Sequence, residues 1–283
     1  MIRFSSGDLQ ITILSAGTLW LDGGAMFGVV PKPLWAKLRA PDERNRIRLG
    51  MNVMLVEDGR TRTLIDNGAG TKWDPKQREI YKFDNLGPEE FLRPAGLVPG
   101  DIDVVLDSHL HFDHAGGNTE HDAAGRAVPS FPNARYVVQR GEIEFARLDN
   151  ERIRASYVAD NFEPVAAEDR FDFVEGDARV GARIEVLLAP GHTPFLHVPV
   201  VRSGEHTIAF LADLVPTSSH VPYPYIMGYD VEPLRTLESK KRILPQAVRE
   251  GWRVVFEHDA DLPLATLEEA GGKLRAVPLT VEA

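Results

Sequence analysis

Short apolar runs of two kinds divide this chain. Residues 9–17 (LQITILSAG) alternate and are rich in β-branched side chains, which predicts a strand. Residues 51–70 (MNVMLVEDGRTRTLIDNGAG) set two apolar runs on either side of Asp58-Gly59, a hairpin signal. Between them, residues 23–38 (GGAMFGVVPKPLWAKL) mix glycine and proline with Phe27 and Trp35, predicting an ordered loop and a short helix. Such a segment is either a pocket wall or a surface piece packed on the core, and both readings stay open. Further on, residues 102–109 (IDVVLDSH) read as a buried strand and residues 134–148 as a strand followed by a helix. Residues 180–193 and 206–216 each contain a strand, residues 233–251 a helix interrupted at Pro245, and residues 252–260 a last strand.

Four of these β-type runs lead into His109, His192, Asp213 and His258. In α/β architectures functional side chains collect at strand ends, because the strands are rigid and their loops converge. No repeat, low-complexity tract or charged linker divides the chain, so one domain over residues 1–283 is expected.

Composition narrows the function. At 43% hydrophobic and 26% charged residues the chain reads as an ordinary globular protein. Its net charge of −10 repels nucleic acid and anionic membrane on average, so the expected partner is a small molecule, with homo-oligomerisation left open. The N-terminus lacks the apolar stretch of a signal peptide and no run approaches a membrane span, so cytoplasmic residence is expected. With no cysteine, disulfides and thiol catalysis are excluded, and any metal must be held by nitrogen and oxygen.

The densest chemistry is His109-Leu110-His111-Phe112-Asp113-His114, followed by Ala115-Gly116-Gly117. In an extended segment His109 and His111 share a face and can grip one cation. Asp113 and His114 follow where the chain turns, free to point at a second cation nearby, and the glycines permit a tight turn and close backbone approach. A lone histidine is usually a surface or core residue, but four potential ligands in six residues at a strand-to-turn junction point to a metal site.

This run resembles the H-x-H-x-D-H motif of the metallo-β-lactamase superfamily. The resemblance continues in order through Leu64-Ile65-Asp66-Asn67-Gly68, Pro190-Gly191-His192-Thr193, Ala212-Asp213 and Glu257-His258. It implies a four-layer αββα sandwich. It also implies that His109, His111 and His192 hold a first metal, that Asp113, His114 and His258 hold a second, and that Asp213 bridges them. Asp66 would orient the histidine loop without touching metal. Zinc is the first expectation for the two divalent ions, with iron or manganese as alternatives.

Within the superfamily, the chain is similar to the quorum-quenching lactonase-like and methyl-parathion-hydrolase-like branch. That resemblance implies hydrolysis of small neutral esters or lactones, N-acyl homoserine lactones among them, by a metal-bridging hydroxide, with Asp113 or Asp213 taking up the proton. An organophosphate triesterase is the runner-up. A non-catalytic metal-binding protein and an iron-dependent oxidoreductase are the readings from other classes. Two departures from the branch stand out. Lactonases of this kind place a tyrosine three residues after the bridging aspartate, where this chain has Pro216, and the usual P-G-H-T-P-G-H becomes Pro190-Gly191-His192-Thr193-Pro194-Phe195-Leu196-His197. Tyr223, Tyr225 and Tyr229 are candidates to replace that phenol. Met26, Phe27, Trp35, Phe195 and His220 are candidates for the substrate wall, and His197 for a pocket-facing histidine, whereas His121 and His206 read as surface residues.

Overall fold

The computed structural model describes residues 1–281. Its strands are β1 (Ile2–Ser6), β2 (Leu9–Asp22), β3 (Arg46–Glu57), β4 (Arg62–Ile65), β5 (Asp84–Asn85), β6 (Val104–Leu106), β7 (Thr119–His121), β8 (Ala127–Pro129), β9 (Arg135–Gln139), β10 (Phe171–Val174), β11 (Ala178–Val180), β12 (Ile184–Leu188), β13 (His197–Arg202), β14 (Thr207–Phe210), β15 (Arg253–Val255), β16 (Leu264–Ala270) and β17 (Lys273–Pro278). Its helices are α1 (Gly23–Phe27), α2 (Lys32–Trp35), α3 (Pro75–Tyr81), α4 (Pro88–Leu92), α5 (Phe112–Ala115), α6 (Arg140–Ala146), α7 (Glu163–Ala167) and α8 (Pro233–Arg249). One sheet runs β1-β2-β3-β4-β6-β9-β10 with β5 beside β2, a second runs from β11 to β17 in chain order, and β7 pairs with β8. The first sheet is parallel from β4 through β6 and β9 to β10, and β14 lies parallel to β15 in the second.

Alternation along single strands builds the layers. In β3, Leu49, Met51, Val53 and Leu55 face one cluster, shared with Phe91 and Leu92 of α4, Ile143 of α6 and Val165 of α7. Met54 and Val56 of the same strand face the other way, into a cluster with Ile11, Ile13, Val186, Val201, Ile208, Phe210 and Val255 that fills the space between the sheets. The outer face of the second sheet, with Val198, Val200, Ala209 and Val254, packs on Ile243, Leu244 and Ala247 of α8. The result is the four-layer αββα sandwich. Strands covered on both faces read as continuous apolar runs, which is why several looked buried from sequence.

The hairpin expected at Asp58-Gly59 joins β3 to β4. The Asp58 carboxylate accepts from the amides of Arg60 and Thr61, and Gly59 takes φ +80°. Segment 23–38 forms two short helices, the first capped by Asp22 accepting from Ala25 N at 2.8 Å. Pro245 does not interrupt its helix: α8 runs unbroken from Pro233 to Arg249, held by the apolar face on either side of the proline. No helix among the described residues is long and apolar enough to cross a membrane.

Candidate metal centre

Strand ends deliver the site. Asp66 follows β4, His109 lies three residues beyond β6, Asp213 three beyond β14 and His258 three beyond β15, while His192 follows β12. Each strand stops short of its functional residue, so a bend aims the side chain back over the sheet edge. Two of these bends carry left-handed backbone at non-glycine residues, Asp66 (φ 53°) and Ala212 (φ 44°), a conformation kept only where surrounding structure enforces it. Gly191, with φ +147°, precedes His192 so close to Thr236 that a Cβ would lie 2.2 Å from its Oγ1. Gly116 and Gly117 have no such φ and serve by close approach alone: a Cβ on Gly117 would fall 2.5 Å from the Asn67 carbonyl oxygen.

The seven expected ligands converge in two buried groups. His109, His111, His192 and Asp213 can each offer one atom so that all lie within 4.8 Å of one another, and Asp113, His114 and His258 do the same. The Asp213 carboxylate joins them. Its Oδ2 lies 3.0 Å from His192 Nε2 and 3.5 Å from His114 Nε2, and its Oδ1 lies 3.3 Å from His258 Nε2. His111 Nδ1 and His192 Nε2 face each other at 2.9 Å.

The histidines are oriented from behind. Ser108 Oγ donates to Asp66 Oδ2 at 2.7 Å and so accepts from His109 Nδ1 at 3.1 Å, leaving His109 Nε2 as a lone pair toward the site. His258 Nδ1 donates to the Gly50 carbonyl at 2.8 Å, and His192 Nδ1 pairs with Asp230 Oδ1 at 2.9 Å. Thr236 Oγ1 in turn donates to Asp230 Oδ2. His114 Nδ1 meets two carboxylates, Asp66 at 2.9 Å and Glu257 at 2.5 Å. A third acidic group, Asp66, His114 and Glu257, also has ligand-like spacing. It uses the outward nitrogen of His114 and an aspartate already filled by Ser108 and His114, so it is the support of the site. Asp66 therefore sits where it was expected, behind the histidine loop, also accepting from Ser108 N at 2.7 Å.

Buried donors without partners test whether cations fit. His109 Nε2, His114 Nε2 and Asp213 Oδ1 are buried and make no hydrogen bond. Leaving such atoms unpaired costs about 1–3 kcal/mol each, and all three aim into the cluster, as nitrogen and oxygen ligands of divalent cations would. The electrostatics agree. Burial disfavours charge on His192, yet the Asp213 and Asp230 carboxylates lift its pKa to about 10. Burial is likewise overcome at His258, which Asp213 raises to about 9, and at His114, raised by Glu257 and Asp213. Against its own burial, Asp213 is held well below the usual carboxylate range by these histidines. His109 and His111 go the other way, pushed down by burial and by neighbouring imidazoles. Asp213 thus favours positive charge at His114, His192 and His258, while His109 and His111 are pushed toward the neutral form that binds a cation.

A cavity of about 140 Å³ opens onto this floor. His111, Asp113, His192, Asp213 and His258 line its base, and Leu21, Met26, Tyr81, Phe112, Ala155, Ser156, Met227 and Tyr229 its walls, with no lysine or arginine. Of the expected wall residues Met26 lines it; Phe27, Trp35, Phe195 and His220 do not. Phe27 is fully buried, stacked between Trp35 (centroids 5.4 Å apart) and His220 (4.6 Å). His220 donates from Nε2 to the Met26 carbonyl at 2.9 Å and pairs through Nδ1 with Thr217 Oγ1, a satisfied core histidine. Phe195 lies against Gly141, where a Cβ would come within 2.3 Å of its ring. His197 is buried with neither ring nitrogen bonded, and burial takes its pKa down to about 4. Of the candidate phenols Tyr229 reaches the cavity, Tyr225 packs edge-on against Phe27, and Tyr223 packs beside the outer core of the second sheet. His121 is exposed and His206 half-buried. Tyr81, Phe112, Ser156 and Met227 were not anticipated; they come from separate parts of the chain, and although Phe112 stands inside the histidine motif, nothing there marks it as a wall residue.

Residues 47–270 match the family model of the metallo-β-lactamase superfamily. An N-acyl homoserine lactonase of a Bacillus species is 28% identical over 239 residues, covering 81% of this chain and 82% of that protein. A probable metal-dependent hydrolase from Staphylococcus aureus superposes with a TM-score of 0.89 at 30% identity, covering 99% of this chain and 100% of that one. AidC, described as a dizinc quorum-quenching lactonase and solved with a product, shares the fold at TM-score 0.83 and 22% identity, covering 100% of this chain and 98% of its own. The chain belongs to the metallo-β-lactamase superfamily, as a hydrolase related to the N-acyl homoserine lactonases.

Proposed function

We propose that this protein is a binuclear metal-dependent hydrolase of small neutral esters or lactones, with N-acyl homoserine lactones inside its range, acting as one domain over residues 1–283. One observation carries the reading: two buried donor groups share Asp213 and open onto a cavity with uncharged walls. His109, His111 and His192 would hold one ion and Asp113, His114 and His258 the other, with Asp213 between, and nitrogen and oxygen donors suit zinc first. When bound, two such ions supply Lewis acidity that lowers the pKa of a water and polarises a carbonyl.

The chain's own groups do the rest. Asp213 stays anionic among the histidines and balances charge at the floor. Asp113, also on the floor, with Oδ2 3.6 Å from His258 Nε2, is placed to take up the proton that water loses on adding to the carbonyl. Leu21, Met26, Phe112 and Met227 exclude water and bury an acyl or alkyl group. With no cation in its walls the cavity offers nothing to a polyanion. The name shared by the Bacillus relatives supports the lactone end of this range.

The test is a Zn²⁺ titration followed by kcat/KM across acyl homoserine lactones, simple lactones, aryl esters, a phosphotriester, RNA and a glutathione thioester. Two ions per chain are expected, with lactones or esters leading. Saturation at one ion overturns the binuclear site. RNA or the thioester leading the panel overturns the substrate class.

A further inference from the structure

We propose that Glu142 is a positioning residue that sets the His109–His111 loop against the His192 loop and so controls the first of the two metal sites; this rests on the ligand assignment above. Glu142 stands in the first turn of α6, distant in sequence from both loops and fully buried. Three donors from three segments reach it. Leu110 N, between the two histidines, donates to Oε1 at 3.1 Å. The Tyr157 hydroxyl donates to the same oxygen at 2.7 Å, and Thr193 Oγ1, next to His192, donates to Oε2 at 2.7 Å.

Each contact transmits position to the site. The Leu110 amide fixes the backbone between His109 and His111, so their rings move with it. Thr193 Oγ1 also accepts from Phe195 N at 3.3 Å, which folds the turn after His192 around the carboxylate. The Tyr157 ring lies 4.6 Å from that of His111, and its neighbour Ser156 accepts from Phe112 N at 2.9 Å through its carbonyl. A buried carboxylate is costly unless hydrogen-bonded, and here all three bonds run from these loops and from Tyr157, which packs against His111. The second group is reached only indirectly, through the Ser156 carbonyl on Phe112 at the start of α5: none of Asp113, His114 and His258 bonds Glu142, and His258 is held by Gly50. The influence of Glu142 should therefore fall on one site.

Glu142→Gln keeps the shape and the Oε1 acceptor while removing the charge and one acceptor; Glu142→Ala removes all three bonds. Exposed Glu144→Gln on the same helix is the control. In Zn²⁺ titrations of metal-free protein, Glu142→Gln should weaken one of two sites by about 10–100-fold and leave the other unchanged, the usual scale for a group supporting metal ligands. Amide exchange at Leu110, followed by NMR without metal, should speed up in Glu142→Gln and not in the control. Two sites of unaltered affinity, unaltered Leu110 exchange, or equal weakening of both sites with a lowered Tm each overturn the proposal. If the unmutated protein binds fewer than two ions, the binuclear reading fails, and Leu110 exchange still decides whether Glu142 pins the loop. Should Glu142→Ala fail to fold, the isosteric Gln variant carries the test.

Discussion

Replacing Phe27 with alanine separates a keystone from a substrate contact. Phe27 is fully buried, stacked between Trp35 and His220 and edge-on to Tyr225. Truncating a buried phenylalanine costs about 3–5 kcal/mol in lost transfer energy and cavity, and lost aromatic partners push toward the upper end. At roughly 2–4 °C per kcal/mol, Tm should fall by about 6–20 °C. Phe27 lines no part of the cavity, so at a temperature well below the transition kcat/KM for a small ester should stay within about tenfold, a barrier change of ~1.4 kcal/mol. The assays are thermal unfolding of the metal-loaded variant and steady-state kinetics corrected for folded fraction. A Tm within about 2 °C of the unmutated protein, combined with a large rise in KM, would refute this and make Phe27 part of the substrate wall.

Asp213→Ala should lower zinc content below two per chain and cut kcat by at least ~100-fold, since the carboxylate both links the donor groups and balances their charge; full metal content at full rate would reassign the bridge. Asp66→Ala removes the acceptor for Ser108 and His114 and should weaken metal affinity by about 10–100-fold in a chelator competition, whereas unchanged affinity would make Asp66 a turn residue only. Lys240 donates to the carbonyls of His220, Pro222 and Tyr225, so Lys240→Met should destabilise by several kcal/mol in urea unfolding, at ~1–3 kcal/mol per stranded acceptor. Burial takes the Lys240 pKa from 10.5 down to about 7, so the unfolded chain binds more protons in that window. Its contribution to stability should therefore rise with pH from about 7 toward 10.5, a rise the methionine variant lacks; equal pH slopes for both proteins would contradict it.

The candidate donor cluster was legible in the sequence because the chemistry is local: four potential donors in six residues, and apolar runs each leading to a histidine or aspartate. The strand limits were less so. Ala189, Leu211, Ala212 and Phe256 continue the apolar runs past the last paired residues of β12, β14 and β15, since they are buried without being in the sheet. Burial sets the pattern and hydrogen bonding sets the strand, and they part company at these bends. Met26 and Phe27 show the same limit within α1: adjacent residues, both buried, yet only Met26 lines the cavity. Hydrophobicity says that a residue leaves water, and only the packing of α1 against His220, Trp35 and Tyr225 decides which apolar side chain lines the cavity.

Apart from Asp66, which the resemblance pointed to, the support of the histidines was hidden for a different reason. Every partner that fixes an outward nitrogen, apart from Ser108, comes from far along the chain: Asp66 for His114, Asp230 for His192 and Gly50 for His258. None carries a spacing signature relative to its histidine, because the contact is made by sheets and helices coming together. Asn52 illustrates how. From the middle of β3 its side chain donates to the carbonyls of Phe256 and Asp259 at 2.9 Å, while the Gly50 and Asn52 amides donate to those of His258 and Glu257. One strand of the first sheet thereby grips both sides of the His258 turn, which belongs to the second sheet. The ligand-bearing loops are thus tied to the packing of the sandwich itself, and a change that shifts one sheet over the other should be felt at His258 before it is felt at α5.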